Sequence, residues 1–231
     1  MALRSVYTPD PDWVEDGLLR ITGDELRHLL VARIEAGETI EAFDGKGAVW
    51  TAVVELTGKK EVLARVTNHR TAPPDPCPLI LGMALVRSAA FELALEKAVE
   101  IGVGRIAPFI AARSNAAPPR QMDRWTRIVV EAAKQSKRFR LPAVDAPARF
   151  EEILEIPART RVVFAERDGG PLKAAVKGSP ALYLIGPEGG WTDEELDKAR
   201  SGGFALVSLG SGILKAETAA IVGSALLRYC L

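Results

Sequence analysis

Cysteine, histidine and net charge are what this 231-residue chain has least of. Its two cysteines, Cys77 and Cys230, form no C-x-x-C pair and are too few for a disulfide framework. His28 and His69 are the only histidines, and neither stands in a metal-ligand spacing, so no metal is expected. Thirty basic residues cancel thirty acidic ones. The chain as a whole is therefore no polyelectrolyte, although a local basic patch can still attract a nucleic acid. No apolar run approaches the ~18 residues of a membrane span, and the N-terminal stretch lacks an apolar signal core. The expectation is a cytoplasmic protein without a membrane partner. Neither GxGxxG nor GxxxxGK[ST] occurs, so the common nucleotide-phosphate motifs are excluded.

What is present is a hydrophobic fraction of 48%, enough for a substantial core. Pro73, Pro74, Pro76 and Pro78 fall close together. Proline lacks an amide donor and holds its predecessor extended, so residues 73–78 suit a linker. Ahead of it, 38–44, 48–56 and 61–67 read as short strands separated by glycine turns, with a helix over 24–33; this predicts a small barrel or meander in residues 1–72. Behind it, strands at 79–85, 105–111, 161–166, 181–186 and 204–210 alternate with helices. One helix follows Ser88 as its cap and ends at Gly102, one spans 121–136, and two more follow residues 192 and 215. Such alternation predicts an α/β domain with a mostly parallel sheet over 79–231.

Two loops in that domain stand out. In LIGPEGGWTDEEL (184–196) a buried strand runs into three glycines and then into a helix whose Thr192 and Glu195 form a capping box. In LGSGILKAETAA (209–220) a second strand meets Gly210 and Gly212 before an alanine-rich helix. Taken alone, each corner is either a tight turn or a place where backbone must come close to a ligand. In an open α/β sheet, ligands lie beyond the carboxyl ends of the strands, where such loops gather.

These segments resemble the paired signature of the 16S ribosomal RNA uridine-N3 methyltransferases, members of the knotted SPOUT class. EKAVEIGVGRIAPFIAARS (96–114) is similar to that family's KATELGV…P…RS stretch, and RWTRIVVEAAKQSKRFRLP (124–142) to its WxRIxxEAAEQSGRxxxP segment. HLLVARIEAGETIEAFDGKG (28–47) resembles HLxxVLRxxxGDxxxxFDGxG in the family's N-terminal domain. Five segments agree in order over nearly the whole chain. The resemblance implies a C-terminal α/β trefoil-knot domain and an N-terminal PUA-like β-barrel that helps grip RNA. It implies S-adenosylmethionine (SAM) as cofactor, 16S rRNA of the small ribosomal subunit as substrate, and a homodimer.

By the same resemblance, Ile185, Gly186, Pro187, Glu188, Gly189, Gly190, Leu209, Gly210, Ile213, Leu214, Ala216, Glu217 and Thr218 would hold the cofactor. Glu188, Glu217 and Arg138 are the catalytic candidates. Methylation at N3 needs that proton removed, by a base or with cations stabilising the anion, and Glu188 and Glu217 are the nearest carboxylates. Glu217 reads more simply as a helix-start carboxylate favoured by the dipole, and Glu188 equally as a cofactor contact or a loop brace. The cluster KQSKRFR supplies Lys134, Lys137, Arg138 and Arg140 for RNA, with Arg4, Arg33, Arg113 and Lys215 as further candidates; Phe139 either stacks on a base or packs. The chain departs from the family's LGPRILR at Gly212 and Lys215, and from its lysine-glycine-aspartate-arginine run at Arg87, Ser88, Ala89 and Ala90. These changes leave open another RNA target, or a non-catalytic assembly factor.

Overall fold

The structure, a computed structural model, describes residues 3–114 and 122–231. It contains two compact units: Met1–Pro74 with Ala133–Leu141, and Asp75–Ala132 with Pro142–Leu231. Among the described residues no helix is long and apolar enough to cross a membrane.

The first unit contains β1 (Arg4–Tyr7), β2 (Asp12–Glu15), β3 (Leu18–Ile21), α1 (Gly23–Val31), β4 (Thr39–Phe43), β5 (Ala48–Thr57) and β6 (Val62–Thr71). These strands form one sheet in the order β1-β4-β5-β6-β3-β2, antiparallel except where β1 meets β4. Inward residues alternate along the central strands, as in Ile40 and Ala42 or Val62 and Ala64. Val6 near one edge, Leu19 near the other and Leu26 and Leu29 of α1 share a single core, so the sheet curls around it. Two register shifts along the β5–β6 ladder supply the local bending that curling requires.

Ala133–Leu141 belongs to this unit and not, as the sequence pattern divides the chain, to the second. The reason is Phe139, which is 7% exposed and packs with Phe43 and Val49. Its ring meets Phe43 edge-on at 5.4 Å and lies under the Arg70 guanidinium at 4.8 Å. The basic cluster is tied into the same unit. Lys134 Nζ donates to Glu25 at 3.0 Å. Lys137 Nζ donates to Ser5 Oγ at 2.9 Å, to Glu41 at 3.0 Å and to Leu3 O. Arg140 donates to Ala72 O at 2.9 Å and to Lys46 O. Gly47 takes a φ of 113°, which side chains rarely adopt, and a Cβ on it would lie 2.5 Å from the Arg140 guanidinium carbon. Arg138 is half-buried. Arg4 and Arg33 are exposed, and Arg33 takes a left-handed φ of 54°.

The second unit begins with β7 (Leu79–Ala84), α2 (Ser88–Ile101), β8 (Arg105–Ile110) and α3 (Asp123–Ser136), whose last turn passes into the first unit. It continues with β9 (Ala143–Val144), β10 (Ala148–Arg149), α4 (Phe150–Leu154), β11 (Thr160–Phe164), α5 (Leu172–Ala175), β12 (Ala181–Ile185), α6 (Asp193–Ser201), β13 (Ala205–Val207) and α7 (Ala216–Cys230). The strands pair in the order β10-β8-β7-β12-β11-β13, with β9 beside β8, and every ladder is parallel. Every residue of β7 and β12 is buried, the pattern of central strands covered on both faces. Gln121, where the sequence pattern starts α3, lies outside the described residues.

Ser88 is not the cap of α2. Arg87 takes that position without a capping bond from its side chain, and the Ser88 hydroxyl donates to Glu92 at 2.7 Å. Gly102 ends the helix at φ 99°, a conformation glycine adopts without strain. Arg124 grips Glu92 through two bonds of 2.6 and 2.7 Å, and above it Trp125 stacks on Phe91 at 4.4 Å. α7 packs against α2, β7 and β12. At its far end Arg228 binds Asp75 at 2.7 and 2.9 Å and also the Cys77 and Gly102 carbonyls.

Replacing Phe139 by alanine removes the keystone of the smaller apolar cluster. Phe139→Ala is expected to lower stability by about 3 kcal/mol or more, the usual cost of emptying a buried aromatic site. Urea denaturation followed by circular dichroism measures this; a change within about 0.5 kcal/mol, the range of ordinary surface substitutions, contradicts the packing role.

Candidate active site

Because all strands of the second unit run parallel, the chain leaves each of them on the same edge of the sheet. The loops after β7, β8, β11, β12 and β13 converge there and enclose a cavity of about 730 Å³. That volume is in the range of small-molecule sites. Twelve of the thirteen cofactor positions expected from the sequence line it: Ile185, Gly186, Pro187, Glu188, Gly189, Gly190, Leu209, Gly210, Ile213, Leu214, Ala216 and Glu217. Thr218 does not, being replaced by Ala219 on the cavity side. Arg113 and Lys215, expected to face RNA, line it as well. Arg4, Arg33, Lys134, Lys137, Arg138 and Arg140 belong to the first unit and are not part of the lining.

The glycine corner after β12 is a close approach and not merely a turn. A Cβ on Gly186 would sit 2.8 Å from the Trp191 ring, and one on Gly189 would sit 3.0 Å from Arg113 Cβ. Gly190 at φ 70° and Gly210 at φ 130° hold conformations that side chains rarely adopt. Trp191 itself is 7% exposed, its Nε1 donating to Phe164 O at 2.9 Å while its ring stacks on Phe109 and tilts against Phe150. The capping box expected at Thr192 is formed. Thr192 Oγ1 accepts from the Glu195 amide at 3.2 Å, and the Glu195 carboxylate accepts from the Thr192 amide at 2.9 Å.

Glu188 is held by Arg87. Its Oε1 accepts from the Arg87 amide at 3.2 Å and from the guanidinium Nε at 3.4 Å. Partial burial pushes the carboxyl upward, but these bonds and its own backbone amide outweigh that effect, and the group sits below the usual glutamate range. Glu217 occupies the first turn of α7, half-buried, where a negative charge suits the helix dipole. The N-caps of α2 and α7 are Arg87 and Lys215, and neither side chain caps its helix.

Sequence reasoning missed Phe164, Ala165, Glu166 and Arg167 at the end of β11, and it did not place Trp191, Leu196 or Ser208 in the lining. It singled out Arg87, Ala89, Ala90 and Gly212 only as departures, yet all four line the cavity. The available signal for the β11 group was position alone: the carboxyl end of a buried strand in a parallel sheet. For a sulfonium-bearing nucleoside with an amino-acid tail, the lining fits. Close backbone at Gly186 and Gly189 leaves room for ligand atoms, Leu209, Leu214 and Phe164 offer apolar walls, and Glu188, Arg113 and Lys215 offer charge of both signs.

The chain is similar to known RNA methyltransferases. The RNA methyltransferase domain family matches residues 73–228, and the RNA methyltransferase PUA domain family matches residues 21–67. Ribosomal RNA small subunit methyltransferase E of Synechocystis sp. is 34% identical over 237 residues, covering 97% of this chain and 77% of that protein. The crystal structure of Ribosomal RNA small subunit methyltransferase E from Neisseria gonorrhoeae, bound to S-adenosyl methionine, superposes with a TM-score of 0.91 at 30% identity, covering 99% of this chain and 98% of that one. A Legionella pneumophila structure in complex with the bound cofactor SAM superposes with a TM-score of 0.90 at 27% identity, over 99% and 98% of the two chains.

The link between Arg87 and Glu188 has a titration signature. Arg87→Ala keeps the backbone donor but removes the guanidinium, so the Glu188 carboxyl should move up toward its ordinary value. In the native protein the link is complete above the ordinary glutamate pKa (~4.3) and weakens as pH falls through the lowered folded value. Carbon-13 NMR of the glutamate side-chain carboxyls reads this directly, and an unmoved Glu188 titration contradicts the assignment.

Proposed function

This chain belongs to the RNA methyltransferase family, with a PUA domain ahead of the catalytic domain, and from that premise we propose that it methylates N3 of a uridine in 16S rRNA of the small ribosomal subunit, with SAM as methyl donor. The observation that carries the reading is the cavity built from two glycine corners at the carboxyl edge of a parallel sheet. When bound there, SAM supplies a methyl group already activated on a sulfonium centre. The backbone of 186–190 and 209–217 holds its polar ends, and Leu209, Ile213 and Leu214 wall its apolar parts. These residues orient the reacting groups and exclude water, which is most of what an activated donor requires from a protein.

The uridine must lose its N3 proton. Of the two carboxylates at the corners, Glu188 is a weak base because its bonds to Arg87 hold it ionised. We assign Glu188 to bracing the loop and the N3 proton to the Glu217 carboxylate, which lines the cavity at the start of α7. General-base assistance of this kind is typically worth about 10²- to 10⁴-fold. The first unit, as a PUA domain, grips the RNA. A trefoil knot through the corners at 186–190 and 209–217 belongs to the same proposal, as does a cytoplasmic setting.

The proposal includes a homodimer. On α7, Leu226 is 41% exposed and Tyr229 is 90% exposed. The two stand three residues apart on one face of the helix, and exposed apolar side chains so placed mark a surface suited to a symmetric partner. Tyr229→Glu is expected to convert a dimer to a monomer in light scattering coupled to size exclusion. A wild-type monomer at micromolar concentration, or an unaltered dimer in the variant, removes this surface from the assembly.

The enzyme reading is tested with labelled SAM and small ribosomal subunits lacking the modification, followed by mass spectrometry of the digested nucleosides. N3-methyluridine is the expected product. A different methylated nucleoside changes the target, and no transfer despite SAM binding makes the chain an RNA-binding protein. Gly186→Ala forces a Cβ against Trp191 and is expected to weaken SAM binding about tenfold or more, the order of an overpacking strain. Titration calorimetry measures that loss.

A further inference from the structure

Arg113 stands just past β8, and its head is turned onto the GPEGG corner. Nη1 donates to Gly189 O at 3.0 Å and to Trp191 O at 3.4 Å. The contact continues along the side chain, because a Cβ on Gly189 would lie 3.0 Å from Arg113 Cβ and 3.4 Å from its Cδ. One residue earlier, the Ala112 amide donates to Glu195 Oε1 at 2.9 Å. The other oxygen of that carboxylate accepts from the Thr192 amide and hydroxyl, both at 2.9 Å. Glu195 is only 6% exposed. The turn itself is closed by the Ala111 amide donating to Ser114 Oγ at 3.1 Å and the Ser114 amide donating to Ala111 O at 3.0 Å. Residues 111–114 are thus fastened to the run 189–195 from both sides, by a guanidinium at one end and a buried carboxylate at the other.

The sequence placed Arg113 among the phosphate contacts. Both bonds leave from Nη1, so one end of the guanidinium fork is anchored on backbone carbonyls of the corner and the head is held there. We propose that Arg113 and Glu195 are positioning residues of the cofactor loop, setting the affinity for SAM without touching RNA. This rests on the cavity being the SAM site. Backbone groups of 186–190 hold a ligand well only if they are already in place, since ordering them on binding subtracts from affinity. Arginine and lysine differ here in reach and shape, since Nη1 meets both carbonyls from the end of a planar head, whereas an ammonium is a compact, strongly hydrated donor on a flexible stem.

The experiment measures SAM affinity by calorimetry, and small-subunit RNA affinity across a salt series, for wild type, Arg113→Ala, Arg113→Lys and Glu195→Gln, each checked for cooperative thermal unfolding. Arg113→Ala is expected to raise the SAM dissociation constant about tenfold or more, the scale of a lost charge-assisted hydrogen bond. Arg113→Lys should fall between that variant and wild type. The RNA salt slope should stay at its wild-type value, and KM for SAM should rise while kcat at saturating SAM stays nearly constant. A slope reduced by about 1 with unaltered SAM affinity, the signature of a lost phosphate contact, overturns the proposal. So does SAM affinity within about twofold of wild type in the folded variants, a change too small for a lost hydrogen bond. If Arg113→Ala unfolds, Arg113→Lys and Glu195→Gln decide by the same criteria. Wild-type protein that binds no SAM overturns the cofactor reading of the cavity and this inference with it.

Discussion

The close approach of Gly186 to the Trp191 ring sets the rest of the site. No side chain fits at Gly186, because even a methyl would lie 2.8 Å from the indole. The indole in turn cannot retreat, since it is packed on Phe109 and Phe150 and its N–H is committed to the Phe164 carbonyl at 2.9 Å. One ring therefore locks the corner after β12 to the end of β11, and the backbone of GPEGG passes over it bare. A loop that turned for its own sake would not need this contact. A loop that must present its peptide groups to a ligand does, because main-chain donors and acceptors are accessible only where side chains are missing.

How much of this was legible follows from which signals are local. Glycine corners, the Thr192–Glu195 box and the apolar runs of β7 and β12 are encoded within a few residues each, and they are found where the sequence places them. The contribution of β11 was not legible, because it depends on strand order. β12 lies between β7 and β11 although it follows β11 in the chain, and nothing in periodicity reveals such an insertion. That order brings Phe164 and its successors to the cavity. The four-residue strands β1, β2 and β3 were likewise missed, since segments so short carry no clear alternation. Ser88 was misread for a related reason. A serine ahead of an apolar run looks like a cap, but here the helix starts one residue earlier and the hydroxyl turns to Glu92.

The segment 134–140 is a strong local signal with distant partners inside the fold. Four cations in seven residues imply an anionic partner, and Lys134, Lys137 and Arg140 meet carboxylates, carbonyls and a hydroxyl of their own unit. Glu25 and Glu41 stand 109 and 96 residues away from the lysines they bind. Phe139, which the sequence left as either a stacking or a packing ring, is part of an apolar cluster with Phe43 and Val49. The charges around it are what an amphipathic excursion looks like from the chain alone: an aromatic anchor buried, with long stems laid over its rim. Charge density in a sequence measures the demand for counter-charge and says nothing about whether the fold itself supplies it.

The same reasoning bears on the chemistry. A general base works best when its pKa lies near the operating pH, and a carboxylate must be destabilised in its charged form to approach that point. Glu188 is moved the other way. Burial would raise it, but the Arg87 amide and guanidinium stabilise the anion, so each bond that fixes the loop also makes the carboxylate a poorer proton acceptor. Positioning and basicity are in conflict at this residue, and the geometry resolves the conflict in favour of positioning. Glu217 carries no such guanidinium contact among the described residues and sits where α7 opens on the cavity. The two glutamates that the sequence offered as bases are thus separated by their neighbours: one is committed to shaping the site, and the other carries no such contact among the described residues.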